Sequence, residues 1–224
     1  MPRPHHIACV LFDFDGVIVD SEPVGAERNV EVFASLGVEV SYDEMLGLVG
    51  KDGRREIPEI LARHGSALGF DDFIEARKRW ECGRGSIYLD ERLELMLGVS
   101  ELLDSLRDRG IATGLVSTTR APRLLEGLNR FRLVSRFDVI VTGDMVTHCK
   151  PDPEPYQRAM KLLDATPDQT VIFDDSPTGI AAGVASGAYT IGFAGSRVRL
   201  DTSAADERLD SFVGFSLFEE APRA

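Results

Sequence analysis

At 224 residues the chain has room for one large domain or a core with a smaller companion, and 43% hydrophobic and 28% charged content describe an ordinary globular protein with a sizeable core. The formal net charge of −12 argues against a nucleic-acid partner, since phosphate-backbone binding needs a basic face, but still permits phosphate esters where local cations or a metal invert the potential. Cys9, Cys82 and Cys149 make neither a disulfide framework nor a metal-knuckle spacing, and no apolar run is long enough to span a bilayer, so a cytoplasmic protein without membrane contact is expected.

In chain order, the apolar run Ile7-Ala8-Cys9-Val10-Leu11 predicts a buried strand that ends in Asp13-Phe14-Asp15-Gly16. The pattern then turns helical for roughly seventy residues. Ser21 is the expected N-cap of a helix stopped by Gly37, and Ser41-Tyr42-Asp43-Glu44 has capping-box spacing for a short second helix. A loop through Gly50, Lys51 and Asp52 leads to a helix ending near His64-Gly65. Asp71-Asp72 open another, broken at Gly83-Arg84-Gly85. From Gly98 onward helices and strands alternate. Strands are expected at 111–116, 138–141, 170–173 and 188–191, with helices at 99–109, 122–128, 155–163 and 177–186. Such alternation implies a parallel sheet with right-handed crossovers, and the helical block after the first strand is then an insertion. The tail after Arg197 is expected to close with a helix.

Four strand ends carry polar groups: Asp13 and Asp15, then Ser117-Thr118-Thr119, then Lys150-Pro151, then Asp174-Asp175. Each has an ordinary explanation. Asp15-Gly16 is a hairpin-turn signal, Ser117 or Thr118 could cap a helix, Lys150 could be a solvated lysine, and Asp174-Asp175 suit a helix N-terminus. In a parallel sheet, however, all four ends lie on one edge, where ligands of open α/β sheets bind. Four such coincidences at successive strand ends favour one site over four accidents.

These residues resemble the haloacid dehalogenase-like hydrolase superfamily. The stretch from Asp13 to Glu22 looks like its first motif, and Ser117 after Gly114-Leu115-Val116 like its second. Lys150-Pro151-Asp152-Pro153 is similar to the third, and Asp174 to Gly183 to the fourth. The resemblance implies an α/β fold: a Rossmann-like parallel-sheet core of residues 1–19 and 92–224, with a helical cap domain inserted at 20–91. It also implies a Mg²⁺-dependent phosphatase that hydrolyses a small phosphorylated metabolite through an aspartyl phosphate, as a monomer. Asp13 would be the nucleophile and Asp15 the general acid and base, while Asp13, Asp15 (through its carbonyl), Asp174 and Asp175 would hold Mg²⁺. Ser117, the backbone from Thr118 onward, and Gly16 would hold phosphate oxygens, and Lys150 would neutralise charge as the transition state forms.

Departures from the family pattern shape this reading. Asp174 stands where many capped relatives have Glu, one methylene longer, so its metal contact is expected through water. Gly25 stands where phosphoglucomutase-like members carry a histidine, which favours hydrolysis over a mutase reaction. Asp15 argues against a dehalogenase, which lacks that aspartate, and a non-catalytic binding protein on the same fold has no positive support because every catalytic position is filled. A receiver-type signalling domain would lack the helical insertion. In the cap, Lys51, Arg54 and Arg55 or Arg77, Lys78 and Arg79 are candidates to meet a second anionic group of the substrate. Either set serves equally well as a solvated helix face. Trp80 reads as cap core or pocket wall.

Overall fold

The structure is a computed structural model, and it describes residues 1–51 and 53–218. Six strands form one parallel sheet: β1 (Cys9–Phe12), β2 (Ala112–Val116), β3 (Val139–Val141), β4 (Thr170–Asp174), β5 (Tyr189–Phe193) and β6 (Glu207–Leu209), in the order β3-β2-β1-β4-β5-β6. β1 is central, pairing Cys9 with Ala112 of β2 on one side and with Thr170 of β4 on the other. Alternation along the strand divides its side chains between two apolar layers. Val10 and Phe12 join one with Leu103 of α5 (Val99–Asp108) and Leu124 of α6 (Ala121–Arg130). Cys9 and Leu11 join the other with Met160 of α7 (Glu154–Leu162) and Ala182 of α8 (Pro177–Ala185). Cover on both faces is why the strands read as continuous apolar runs.

Between β1 and α5 lie α1 (Ser21–Ser35), α2 (Tyr42–Leu46), α3 (Gly53–Arg63) and α4 (Phe70–Glu81). They pack around a core of their own that includes Phe33, Met45, Leu61 and Phe73, with the Phe33 and Phe73 rings 5.0 Å apart. Trp80 belongs to this core's edge, sandwiched between the Arg28 and Arg84 guanidiniums at 4.9 Å each. Ser41 caps α2 by accepting from the Glu44 N–H (3.1 Å), while the Glu44 carboxylate pairs with Arg63 and His64 instead of reaching back. Asp71 and Asp72 fall in the first turn of α4, and Asp72 accepts from the Gly69 N–H at 2.8 Å.

Two local expectations are corrected. Ser21 is the first helical residue of α1 and the N-cap is Asp20, which makes no cap bond. Its carboxylate accepts from Ser196 Oγ (2.8 Å) and Arg197 Nε (2.7 Å), so the contact distant in sequence wins over the local one. The tail after Arg197 contains no helix among the described residues. It forms β6 at the sheet edge and then turns, and residues 219–224 lie outside the described part. Phe212, Phe215 and Phe218 have helix-like spacing, but each ring docks separately: Phe212 stacks on Phe193 at 4.2 Å, Phe215 meets Phe173 edge-on at 6.0 Å, and Phe218 lies under Arg109. No described helix is long and apolar enough to cross a membrane.

Candidate active site

Because β1 sits between β2 and β4, residues just past these strands share one edge. The Asp13 N–H donates to the Phe173 carbonyl (2.9 Å) and the Ser117 N–H to the Val141 carbonyl (3.0 Å), which extends the ladder into the site and fixes both residues. Lys150, in the segment between β3 and α7, crosses to meet them. Its ammonium donates to Asp13 Oδ1 (2.9 Å), Asp174 Oδ2 (2.8 Å) and the Val116 carbonyl (3.0 Å), which uses all its protons. The Lys150 side chain is 3% exposed and that of Asp174 is fully buried. Asp174 is saturated, since Tyr156 Oη also donates to Oδ2 while the Ser176 N–H and Oγ donate to Oδ1.

The site holds more carboxylates than cations, and the pKa values show it. Burial, reinforced by Asp174 and Asp15 against the pull of Lys150, pushes the Asp13 carboxyl up to about 7. Burial and the charges of Asp174, Asp13 and Glu22 lift Asp175 well above the usual carboxylate range. Glu22, in the first turn of α1, is pushed up to about 7 by burial and by Asp15, Asp13 and Asp20. Burial works to strip Lys150 of its proton, but Asp13 and Asp174 outweigh it and hold its pKa well above the ordinary lysine value.

This surplus of acid fits a divalent cation. Asp13, Asp174 and Asp175 each offer an oxygen, all within 4.8 Å of one another. The Asp175 carboxylate is buried yet accepts no hydrogen bond among the described residues, so its acceptor capacity is open. Glycines make the close packing feasible: a Cβ on Gly16 would sit 2.0 Å from Asp175 Oδ2, and one on Gly179 1.9 Å from Asp174 Oδ2. The Gly16 N–H itself donates to the Val19 carbonyl (2.8 Å). A second acidic group, His148, Asp152 and Glu154, fits a metal less well. It is partly exposed, and Glu154 already accepts from the Thr147 and His148 N–H groups (2.7 and 2.8 Å), an arrangement that ties the preceding loop to the first residue of α7.

Asp15 is turned away from the acidic trio. Its carboxylate accepts from Tyr88 Oη (3.1 and 2.9 Å) and from Thr119 Oγ1 (3.3 Å), and burial raises its pKa against these bonds. Ser117 is buried, with Oγ accepting from the Thr119 N–H (3.1 Å), and Thr118 is exposed beside it. Arg54 is exposed on α3 with its guanidinium over the Phe70 ring, 5.2 Å away, apart from this cluster.

Thr119 belongs to a polar strand end that the sequence marks, but its bond to Asp15 is not predicted there, and Tyr88 and Tyr156 carry no sequence signal of a site role. Tyr88 lies in a short 3-10 turn, Ile87–Leu89, in a segment read only as a break. Its ring packs on Phe14 (5.4 Å) and Arg130 of α6 donates to its carbonyl (3.1 Å), so the turn is fastened to the core. The one available signal was chemical: a buried tyrosine needs a partner for its hydroxyl.

Residues 10–193 match the family model for haloacid dehalogenase-like hydrolases. The chain belongs to that family. It is 33% identical over 178 residues to a phosphorylated carbohydrates phosphatase of Thermotoga maritima, covering 80% of this chain and 81% of the relative. It is 36% identical over 186 residues to the pyrophosphatase PpaX of Bacillus mycoides, covering 83% and 82%. The crystal structure of CbbY from Rhodobacter sphaeroides in complex with phosphate superposes with a TM-score of 0.71 at 28% identity, covering 92% of this chain and 95% of that one.

The geometry predicts metal binding that can be measured without turnover. Mg²⁺ or Mn²⁺ at about a hundredfold excess over its dissociation constant should stabilise the fold by about 2–3 kcal/mol in thermal melts. Because protonated Asp13 and Asp175 must release protons to bind, the gain should be larger at about pH 8 than at about pH 6. Asp175→Asn should lose most of it and His148→Ala should keep it. An equal gain in the wild type and Asp175→Asn would remove the trio as the metal site.

Proposed function

We propose that this protein is a Mg²⁺-dependent phosphatase that hydrolyses a small phosphorylated metabolite through a phosphoaspartate at Asp13. The observation that carries the reading is the buried Lys150 ammonium, 2.9 Å from Asp13 Oδ1, beside the unpartnered carboxylate of Asp175. Asp13, Asp175, the Asp15 carbonyl and, through a water that replaces one of its present hydrogen bonds, Asp174 would hold Mg²⁺, which would offset the charge a phosphate dianion brings against a carboxylate nucleophile.

The chain's own groups supply the rest. An Asp13 oxygen attacks phosphorus, the ester P–O bond breaks, and Asp15 gives its proton to the leaving alkoxide. The raised pKa of Asp15 suits it to carry that proton. A water then gives its proton to Asp15 and attacks the phosphoaspartate, which releases inorganic phosphate and restores Asp13. Ser117 and the backbone at Thr118 hold phosphate oxygens, and Lys150 faces the charge that develops on them. Tyr88 and Thr119 hold Asp15 between its two proton transfers. Residues 20–91 act as the cap over this edge, with 1–19 and 92–224 as the core, and closure excludes bulk water. Gly25 offers no side chain to shelter the phosphoaspartate between substrates, so water and not a second sugar hydroxyl receives the phosphoryl group.

The test is release of phosphate from an aryl phosphate with and without Mg²⁺. Turnover should require the metal, and Asp13→Asn should lower it by at least about 10³-fold with the fold intact by circular dichroism. A variant that keeps more than about a tenth of the activity would remove Asp13 from the nucleophile role. Tyr88→Phe should slow alkyl phosphates about tenfold more than aryl phosphates, because only a basic alkoxide depends strongly on a well-held proton donor. Equal slowing of both would make Tyr88 a packing residue only.

A further inference from the structure

Tyr156, the third residue of α7, is fully buried in the layer that holds Leu11, Val116 and Ile172. It touches both ends of one ion pair. The Lys150 ammonium lies 4.8 Å from the centre of its ring, within cation–π range. Its hydroxyl donates to Asp174 Oδ2, the oxygen that Lys150 also bonds at 2.8 Å. No step of the proposed hydrolysis uses it.

A carboxylate offers about four lone-pair positions. Among the described residues four donors meet those of Asp174: Lys150 and Tyr156 on Oδ2, and the Ser176 N–H and Oγ on Oδ1. A cation, or a water bound to one, can therefore reach Asp174 only by displacing a donor. The four are not equally displaceable. Lys150 is charged and buried, and parting it from its carboxylates would leave uncompensated charge. The Ser176 groups lie two residues along the same turn and move with Asp174. Tyr156 is neutral and enters from α7, whose packing fixes the hydroxyl independently of that turn. Its bond decides how far Asp174 is committed to Lys150 and how far it is free for a cation.

Resting on Asp13, Asp174 and Asp175 as the metal site, we infer that Tyr156 is a positioning residue that restrains cation binding: by holding Asp174 on Lys150, its hydroxyl lowers the affinity of the trio for Mg²⁺. The ring steadies the ammonium at the same time, so Lys150 keeps its bond to Asp13. Without the hydroxyl, Asp174 Oδ2 gains a free lone pair and keeps more of its negative charge, and both changes favour the metal. A residue that merely oriented a metal ligand would act in the opposite direction, since losing such a partner weakens metal binding by about 10–100-fold.

The test is calorimetric titration of the full chain with MgCl₂, without substrate. In Tyr156→Phe, which keeps the ring beside Lys150, the Mg²⁺ dissociation constant should fall by about three- to tenfold, up to the low end of what one hydrogen bond to a charged acceptor is worth. The Mg²⁺ concentration for half-maximal turnover of an aryl phosphate should fall with it. Should Tyr156→Phe fail to fold, fluorotyrosine at position 156, with its fluorine beside the hydroxyl, decides the matter. It is a stronger donor of nearly the same shape and should raise the dissociation constant. An unchanged or higher constant in Tyr156→Phe, or an unchanged or lower one with fluorotyrosine, overturns the inference and leaves the metal site and the phosphatase reading in place. Absence of Mg²⁺ binding by the wild type removes the metal site and this inference together.

Discussion

One buried ammonium organises this molecule. The Lys150 Nζ bonds Asp13 beyond β1, Asp174 at the end of β4 and the Val116 carbonyl at the end of β2, so a single side chain ties together three adjacent strand ends. Two carboxylates at this depth would be strongly unfavourable without it, and removing one partner of a buried ion pair costs about 3–5 kcal/mol. The sheet order makes the bonds reachable, because from β3 the segment crosses β2 to arrive at β1, and β4 is the next strand beyond. The same contact that settles the edge of the fold opposes the burial that raises the pKa of the candidate nucleophile.

Lys150 balances only part of the acid around it. Asp13, Asp15, Asp174, Asp175 and Glu22 interact with one another, and burial raises the pKa of Asp13, Asp15, Glu22 and Asp175. Such a site binds protons or a cation readily and so is poised for chemistry that needs either. The helical block is coupled to this edge by its own connections. The Asp20 N–H donates to the Glu94 carbonyl (3.2 Å) and the Met96 N–H to the Ile18 carbonyl (2.9 Å), so the chain leaving the core and the chain returning to it lie side by side. Asp20 is further fastened to Ser196 and Arg197 beyond β5. Tyr88 in turn is fastened to α6 by Arg130, which donates to its carbonyl (3.1 Å).

The parallel sheet and the convergence of Asp13, Asp15, Ser117, Lys150, Asp174 and Asp175 were legible because both follow from one rule: polar residues that end successive apolar strands must meet on one edge. What depended on tertiary register was not legible. The hydroxyls of Tyr88, Thr119 and Tyr156 reach carboxylates far away in sequence, and nothing local marks those contacts. Phe212, Phe215 and Phe218 imitate one helix face in the sequence, whereas in the fold Phe212 and Phe215 both pack edge-on against Phe173 and Phe218 lies under Arg109. Helical spacing could not separate the two basic groups of the helical block either. The structure sets Arg54 over Phe70 and Arg77 on a cavity wall, a distinction made by how α3 and α4 pack.

The proposed chemistry puts the phosphoryl group on Asp13, held by Lys150. Acid quenching during turnover of a labelled phosphate ester, followed by peptide mapping, tests it most directly. Label is expected on the peptide containing Asp13, in an acyl phosphate that is stable to acid and released by hydroxylamine. Label on Ser117 or Asp175, or rapid turnover with no covalent label at any quench time, would contradict it.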